Sequence, residues 1–330
     1  MVSFDDLTDY TEKIKQEQYA SGTALVIMQN NKIVHEYYSG THHFEQGARK
    51  INASSQFNVY SVRVTYIGLA VAIAMEEGYL DIDDKLTDHL PELDKEVLGE
   101  TKIRHLVTRC TGLKIKEQHV TRAFALGTDI EGKRPDLLAS ILYQATGKTV
   151  AEILREKVFS PLDWTKTEWM TSGKETLVCD IHSPKSYPAL RVGSNAGDDR
   201  NLYVSARELA YWGNLHLNKG SFNGKRILPE KIFTKTTTSQ SPITVPNYLP
   251  KFGFLWWIKD SEVSYQWDEL GSNLPEGSYQ ILGASSCSCT VIPKLNAVAV
   301  RMNNRIESSK EFDYLADIRR FGDLVVTCLK

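Results

Sequence analysis

The apolar pattern of the chain is densest between Phe57 and Asp84. From Ser61 onward, Val62, Val64, Ile67, Leu69, Ala70, Val71, Ile73 and Ala74 leave no polar face. A helix that is apolar all round belongs in a protein interior. Glu76, Glu77 and Gly78 mark its exit, with Gly78 suited to end it. The run is too short and too interrupted to span a bilayer. The pattern predicts a buried central helix with a serine at its mouth.

Elsewhere the periodicity is weaker but readable. Phe4, Leu7, Tyr10, Ile14 and Tyr19 recur at roughly helical spacing and predict a helix over 4–20. Residues 23–29 and 32–38 read as strands joined at Asn30-Asn31, a pair that tolerates the positive φ of a tight hairpin. Residues 40–55 are polar and read as loop. Thr149 with Glu152 has capping-box spacing, and Ser205 with Glu208 repeats it. Strand-like segments return at 252–259, 278–282, 287–292 and 297–302, and a helix over about 310–329 closes the chain. Strands, a long helical middle, then strands and a helix predict an α+β fold, an antiparallel sheet flanked by helices plus a mostly helical inserted domain. The sheet part would take about 1–58 and 248–330, the helical part about 59–247.

With 330 residues there is ample core for such a unit. A net charge of −2 gives no electrostatic reason to expect nucleic acid or an anionic membrane as partner. The polar, acidic N-terminus lacks signal-peptide character. The five cysteines, 110, 179, 287, 289 and 328, are odd in number and scattered. Both features fit a reduced, cytoplasmic setting. Cys179 and His182 have a ligand-like gap and His42-His43 are adjacent, but neither pair has a second pair beside it, so packing or surface roles are expected. No cofactor or metal is expected, since no Gly-rich phosphate loop or ligand cluster occurs.

Ser61, the Glu76–Asp84 phrase EEGYLDIDD and the Leu90-Pro91-Glu92 that follows resemble the serine β-lactamase, penicillin-binding protein and esterase family, in its class C-like branch. Residues 101–113 (TKIRHLVTRCTGL), Phe159-Ser160-Pro161-Leu162 and the stretch after Ser205 are similar to further family phrases. The resemblance covers nearly the whole chain and implies a β-lactamase/transpeptidase-like fold. It also implies a set of proton-handling residues. In the family the serine begins an S-x-x-K motif, and a Y-x-N loop and a K/H-T-G strand complete the site.

Here the first motif reads Ser61-Val62-Arg63-Val64. Ser61 takes the nucleophile position, although serine is also a favoured helix N-cap. Val64 replaces the lysine, and valine cannot accept a proton. Arg63 is one residue off the face and always protonated. Where the Y-x-N loop is expected, residues 127–135 contain neither Tyr nor Asn, and Gly132 or Ile130 takes the tyrosine's place. Lys133 could supply a replacement amine or belong to a solvated loop. For the K/H-T-G strand the chain has Ala284-Ser285-Ser286, with Cys287 and Cys289 beyond it as either substitute nucleophile or small apolar residues. Residues 195–201 form a polar loop placed near the site by the resemblance.

The apolar replacements predict a drier, less charged pocket, taking a mostly apolar small molecule as ligand or substrate. Tyr60, Val64, Ile130, Gly132, Ala284, Ser285, Ser286 and Cys287 are its candidate lining, with Ser61 and Lys133 the candidate catalytic pair. Four readings stand: a non-catalytic binder; a scaffold repurposed for another reaction, such as a biosynthetic cyclisation or elimination; a residual esterase or acyltransferase using Ser61 with an unusual base such as Lys133; and an engineered lysine-to-valine knock-out.

Overall fold

The computed structural model describes residues 3–116, 119–131, 134–182, 189–260, 268–306 and 311–330. Strands β1 (Gly22–Gln29) and β2 (Lys32–Gly40) form the expected hairpin, with Asn30 and Asn31 both at positive φ (52° and 63°). Five more strands complete the sheet: β3 (Lys251–Phe252), β4 (Trp257–Ile258), β5 (Tyr279–Leu282), β6 (Ser288–Ile292) and β7 (Ala297–Asn303). The order is β3-β4-β5-β6-β7-β1-β2, every neighbour antiparallel. The longer helices are α1 (Asp5–Glu17), α2 (Val64–Glu76), α3 (Pro135–Thr146), α4 (Ala206–Leu217) and α5 (Tyr314–Leu329).

β1 is apolar at successive positions because both faces of the sheet are covered. Leu25 and Ile27 pack with Leu7, Ile14, Ile318 and Phe321 of α1 and α5. Ala24, Val26 and Met28 face the larger core that holds α2 and α4. α4 lies between sheet and central helix, although it falls within the stretch expected to be helical subdomain. Trp212 of α4 donates its indole N–H to Thr65 Oγ1 (3.1 Å) and stacks on Tyr66 at 3.8 Å between ring centroids. On the other side α2 meets α3 and the 230–237 helix. At Gly68 an added Cβ would stand 2.7 Å from the Phe254 carbonyl oxygen, so this face of α2 approaches backbone directly. All eleven residues from Val64 to Ala74 are buried.

Several expected elements are corrected. The first helix stops at Glu17, and Tyr19 lies beyond it, exposed and at positive φ. The strand expected over 252–259 is two short strands. Between them Phe254 N–H donates to Thr236 O and Leu255 N–H to Val107 O, drawing the backbone out of the sheet toward the helices. Thr149 and Glu152 form the expected capping box. Ser205 caps α4, but Glu208 does not reach back; its carboxylate accepts from Thr165 N, Lys166 N and Thr167 Oγ1 instead. Gly78 turns the chain after α2 with φ +82°.

Arg301 on β7 and Asp317 on α5 form a bidentate pair at 2.8 and 2.6 Å, almost wholly buried, and Tyr10 of α1 donates to the same carboxylate at 3.0 Å. Asp317→Ala would leave a buried guanidinium uncompensated and should cost about 3–5 kcal/mol in urea denaturation, whereas the Arg301→Met/Asp317→Leu double variant should recover most of that loss. A single-variant cost below about 1 kcal/mol would show that water reaches the pair.

Candidate active site

Ser61 is positioned by a short strand, Gln56–Asn58, which pairs with Leu202–Ser205 and then turns sharply. Val59 N–H donates to Leu202 O (3.0 Å). Asn58 Nδ2 donates to Arg200 O (3.0 Å), and its Oδ1 accepts from Tyr60 N–H (3.1 Å). Tyr60 has φ +46°, a conformation a bulky residue rarely adopts without being held. The hold is its phenol, which donates to Asp180 Oδ2 at 2.6 Å. The chain then runs through a 3₁₀ turn, Tyr60–Arg63, and α2 begins only at Val64. Ser61 therefore precedes the helix and caps nothing. It is half-buried, between buried Tyr60 and Val62.

No side chain among the described residues hydrogen-bonds the Ser61 hydroxyl. Val64 is 1% exposed and belongs to the large apolar core. β5 runs alongside the turn, ending at Leu282, and at the next residue, Gly283, a Cβ would stand 2.4 Å from Val59 O. Residues 284–286, where the resemblance places the K/H-T-G strand, are the bend between β5 and β6, in the gap the residue pattern left between 282 and 287, closed by Gly283 N–H to Cys287 O (2.8 Å). Ala284 is exposed at the bend, and Ser286 sits at φ +59° exchanging hydrogen bonds with Gln18. Ser285 does approach the site, its hydroxyl donating to Asn58 O (3.3 Å) and to Cys287 Sγ (3.0 Å).

Burial pushes the Cys287 thiol up to about 11, and Cys289 is raised for the same reason, so neither is a ready thiolate. Ile130 packs in a satellite cluster with Cys110, Val245 and Leu249. Gly132 and Lys133 lie outside the described residues. His42 bonds Ser55 (2.9 Å). Among the described residues no three His, Cys, Asp or Glu converge in a way that could hold a metal ion. No described helix is long and apolar enough to cross a membrane.

Two groups that the residue pattern did not pick out dominate the electrostatics. Asp180 is 2% exposed, and burial raises its carboxyl to about 6, against the opposing pull of Tyr60, His182, Asn58 and Arg191. It is drawn under the turn because the 177–181 segment bonds both ways, Val178 N–H to Gln56 O and Ile181 N–H to Asn304 O. Arg63 is 5% exposed, its Nη1 donating to Tyr60 O at 3.2 Å. Beside the apolar Val64, charge thus reaches the turn from Asp180 and Arg63. The sequence signals were faint, a lone Asp among apolar neighbours at 177–181 and an Arg inside an otherwise apolar helix start.

With this geometry in place the comparisons with known proteins are direct. Residues 7–323 match the family model described as Beta-lactamase, and the chain belongs to that serine hydrolase family. A protein of Alkalihalophilus pseudofirmus described as uncharacterized is 40% identical over 328 residues, 99% of this chain and 96% of that one. Protein flp of Staphylococcus aureus (strain MW2) is 21% identical over 92% of this chain, which spans 66% of flp. Among solved structures, a class C β-lactamase superposes with a TM-score of 0.78 at 14% identity, covering 99% of this chain and 96% of that one. EstCE1, a hydrolase with promiscuous acyltransferase activity, gives 0.75 at 18%, covering 98% and 100%. At such identities the likeness establishes the fold.

Asp180 makes stability depend on pH. Below about pH 4 the carboxyl is protonated folded or unfolded; between about 4 and 6 only the folded chain keeps its proton, so this stabilisation is lost as pH rises through about 6. The stability of the wild type relative to Asp180→Asn should therefore fall by roughly 3 kcal/mol between pH 4 and pH 7 in urea titrations. A difference that stays level, or grows with pH, would contradict this account.

Proposed function

We propose that this β-lactamase-family protein binds or transforms a small molecule at the Ser61 turn without forming a Ser61 acyl-enzyme. The carrying observation is that the Ser61 hydroxyl has no proton acceptor among the described residues, while the position one turn on is Val64, sealed in the core. A serine hydroxyl at neutral pH needs such a partner to become nucleophilic. Losing general-base help typically costs ~10²–10⁴ in rate, roughly 3–5 kcal/mol of barrier. The turn held at Tyr60 and β5 beside it keep the site's shape, while no group among the described residues is in place to activate its serine. The buried Asp180 and Arg63 favour an amphipathic ligand over a wholly apolar one.

Incubation with a fluorophosphonate and with benzylpenicillin, followed by intact mass measurement, should leave Ser61 unmodified, and hydrolysis of p-nitrophenyl acetate should be no faster than for Ser61→Ala. A stoichiometric adduct on Ser61 would overturn the proposal, and its disappearance in Lys133→Ala would assign the chain to the residual esterases instead.

A further inference from the structure

Arginines in this chain show how it treats a guanidinium. On Arg207, Arg104 and Arg134 the Nε and Nη2 edge clamps the two oxygens of one carboxylate, that of Glu36, Asp83 and Asp136 respectively. The deeply buried Arg301 is matched by both oxygens of Asp317. Arg122 spreads its donors over Val97 O, Leu98 O and Thr101 Oγ1.

Among the described residues Arg109 likewise has no carboxylate within ion-pair distance, but its Nε donates to Glu131 O (2.8 Å) and its guanidinium lies over the Phe252 ring, whereas Arg63 has neither support. Its one hydrogen bond, from Nη1 to Tyr60 O at 3.2 Å, turns the guanidinium back along the peptide that precedes Ser61. Nε is buried and has no acceptor among the described residues, and no bond occupies Nη2. No carboxylate among them comes within ion-pair distance, although Asp199 and Asp136 act on it from farther off. Burial, and next the charge of Arg200, pull this guanidinium down to about 10. A buried cation without an ion pair is costly, so retaining one beside a binding turn calls for an anion from outside the chain.

We infer that the Nε and Nη2 edge of Arg63 receives the carboxylate of the small molecule that binds at the Ser61 turn. The inference rests on the reading of that turn as a small-molecule site and adds the chemical class of its ligand. The planar fork matches a carboxylate's two oxygens, as it does at Arg207 and Glu36. The exposed Arg191 and Arg200 add positive potential at this guanidinium that Asp199 partly offsets. In this position the carboxylate lies against the first turn before α2, so the apolar remainder of the ligand is left to face Ser61 and β5.

The test is calorimetric titration of the full chain at pH 7 with phenylacetate and with its neutral isostere phenylacetamide. Phenylacetate should bind at least ~10-fold more tightly, and Arg63→Gln should abolish that preference while changing phenylacetamide affinity by less than about threefold. Arg63→Lys, which keeps the charge and loses the fork, should weaken phenylacetate by about fivefold or more, and it serves if the glutamine variant does not fold. Equal binding of the two probes, binding of neither, or a preference that survives both variants would overturn the assignment. The two proposals separate cleanly: a fluorophosphonate adduct on Ser61 together with an Arg63-dependent preference sinks the non-acylating reading and leaves this one standing.

Discussion

Helix α2 has no face that could meet water, so it survives only if enclosed on every side. α4 and its Trp212 close one side, α3 and the 230–237 helix another, and Gly68 brings the Phe254 backbone against a third. This enclosure determines where the chain must enter: through a single turn beside the C-terminal end of β5. Ser61 is half-exposed there because the helix it precedes cannot be. The left-handed Tyr60 is what bends the chain into that entry, and the Asp180 carboxylate is what holds Tyr60.

The same enclosure gives Val64 its meaning. One turn beyond the serine, the family's chemistry requires an ammonium inside the protein, and an ammonium there must be compensated by neighbours. With valine in place the compensation is unnecessary, and the core closes over the position. Charge has not left the region, however. It lies on Asp180, tied to the phenol of Tyr60, and on Arg63, tied among the described residues only to a carbonyl.

Much of the architecture was legible in the residues. The all-apolar run after Ser61, the Asn30-Asn31 hairpin and the Thr149 capping box each depend on interactions within a few residues, and each formed as the pattern implied. What misled was local pattern overruled by distant partners. The 252–259 segment has strand composition, but Thr236 and Val107 capture its backbone. Glu208 has capping-box spacing, but the amides at 165 and 166 outbid its own helix start. At Ala284-Ser285-Ser286 the resemblance, not the local pattern, placed a strand; the pattern's own strands break between 282 and 287, as β5 and β6 do.

By itself the sequence determined the family, the central helix and the valine at position 64, since these are matters of residue identity and short-range periodicity. Only the tertiary structure decided that Asp180 lies under Tyr60 and that Arg63 is buried with an unmatched edge. Asp180 is 120 residues from its partner, and burial is a property of everything packed around a group. Neither is written in the spacing of neighbours along the chain.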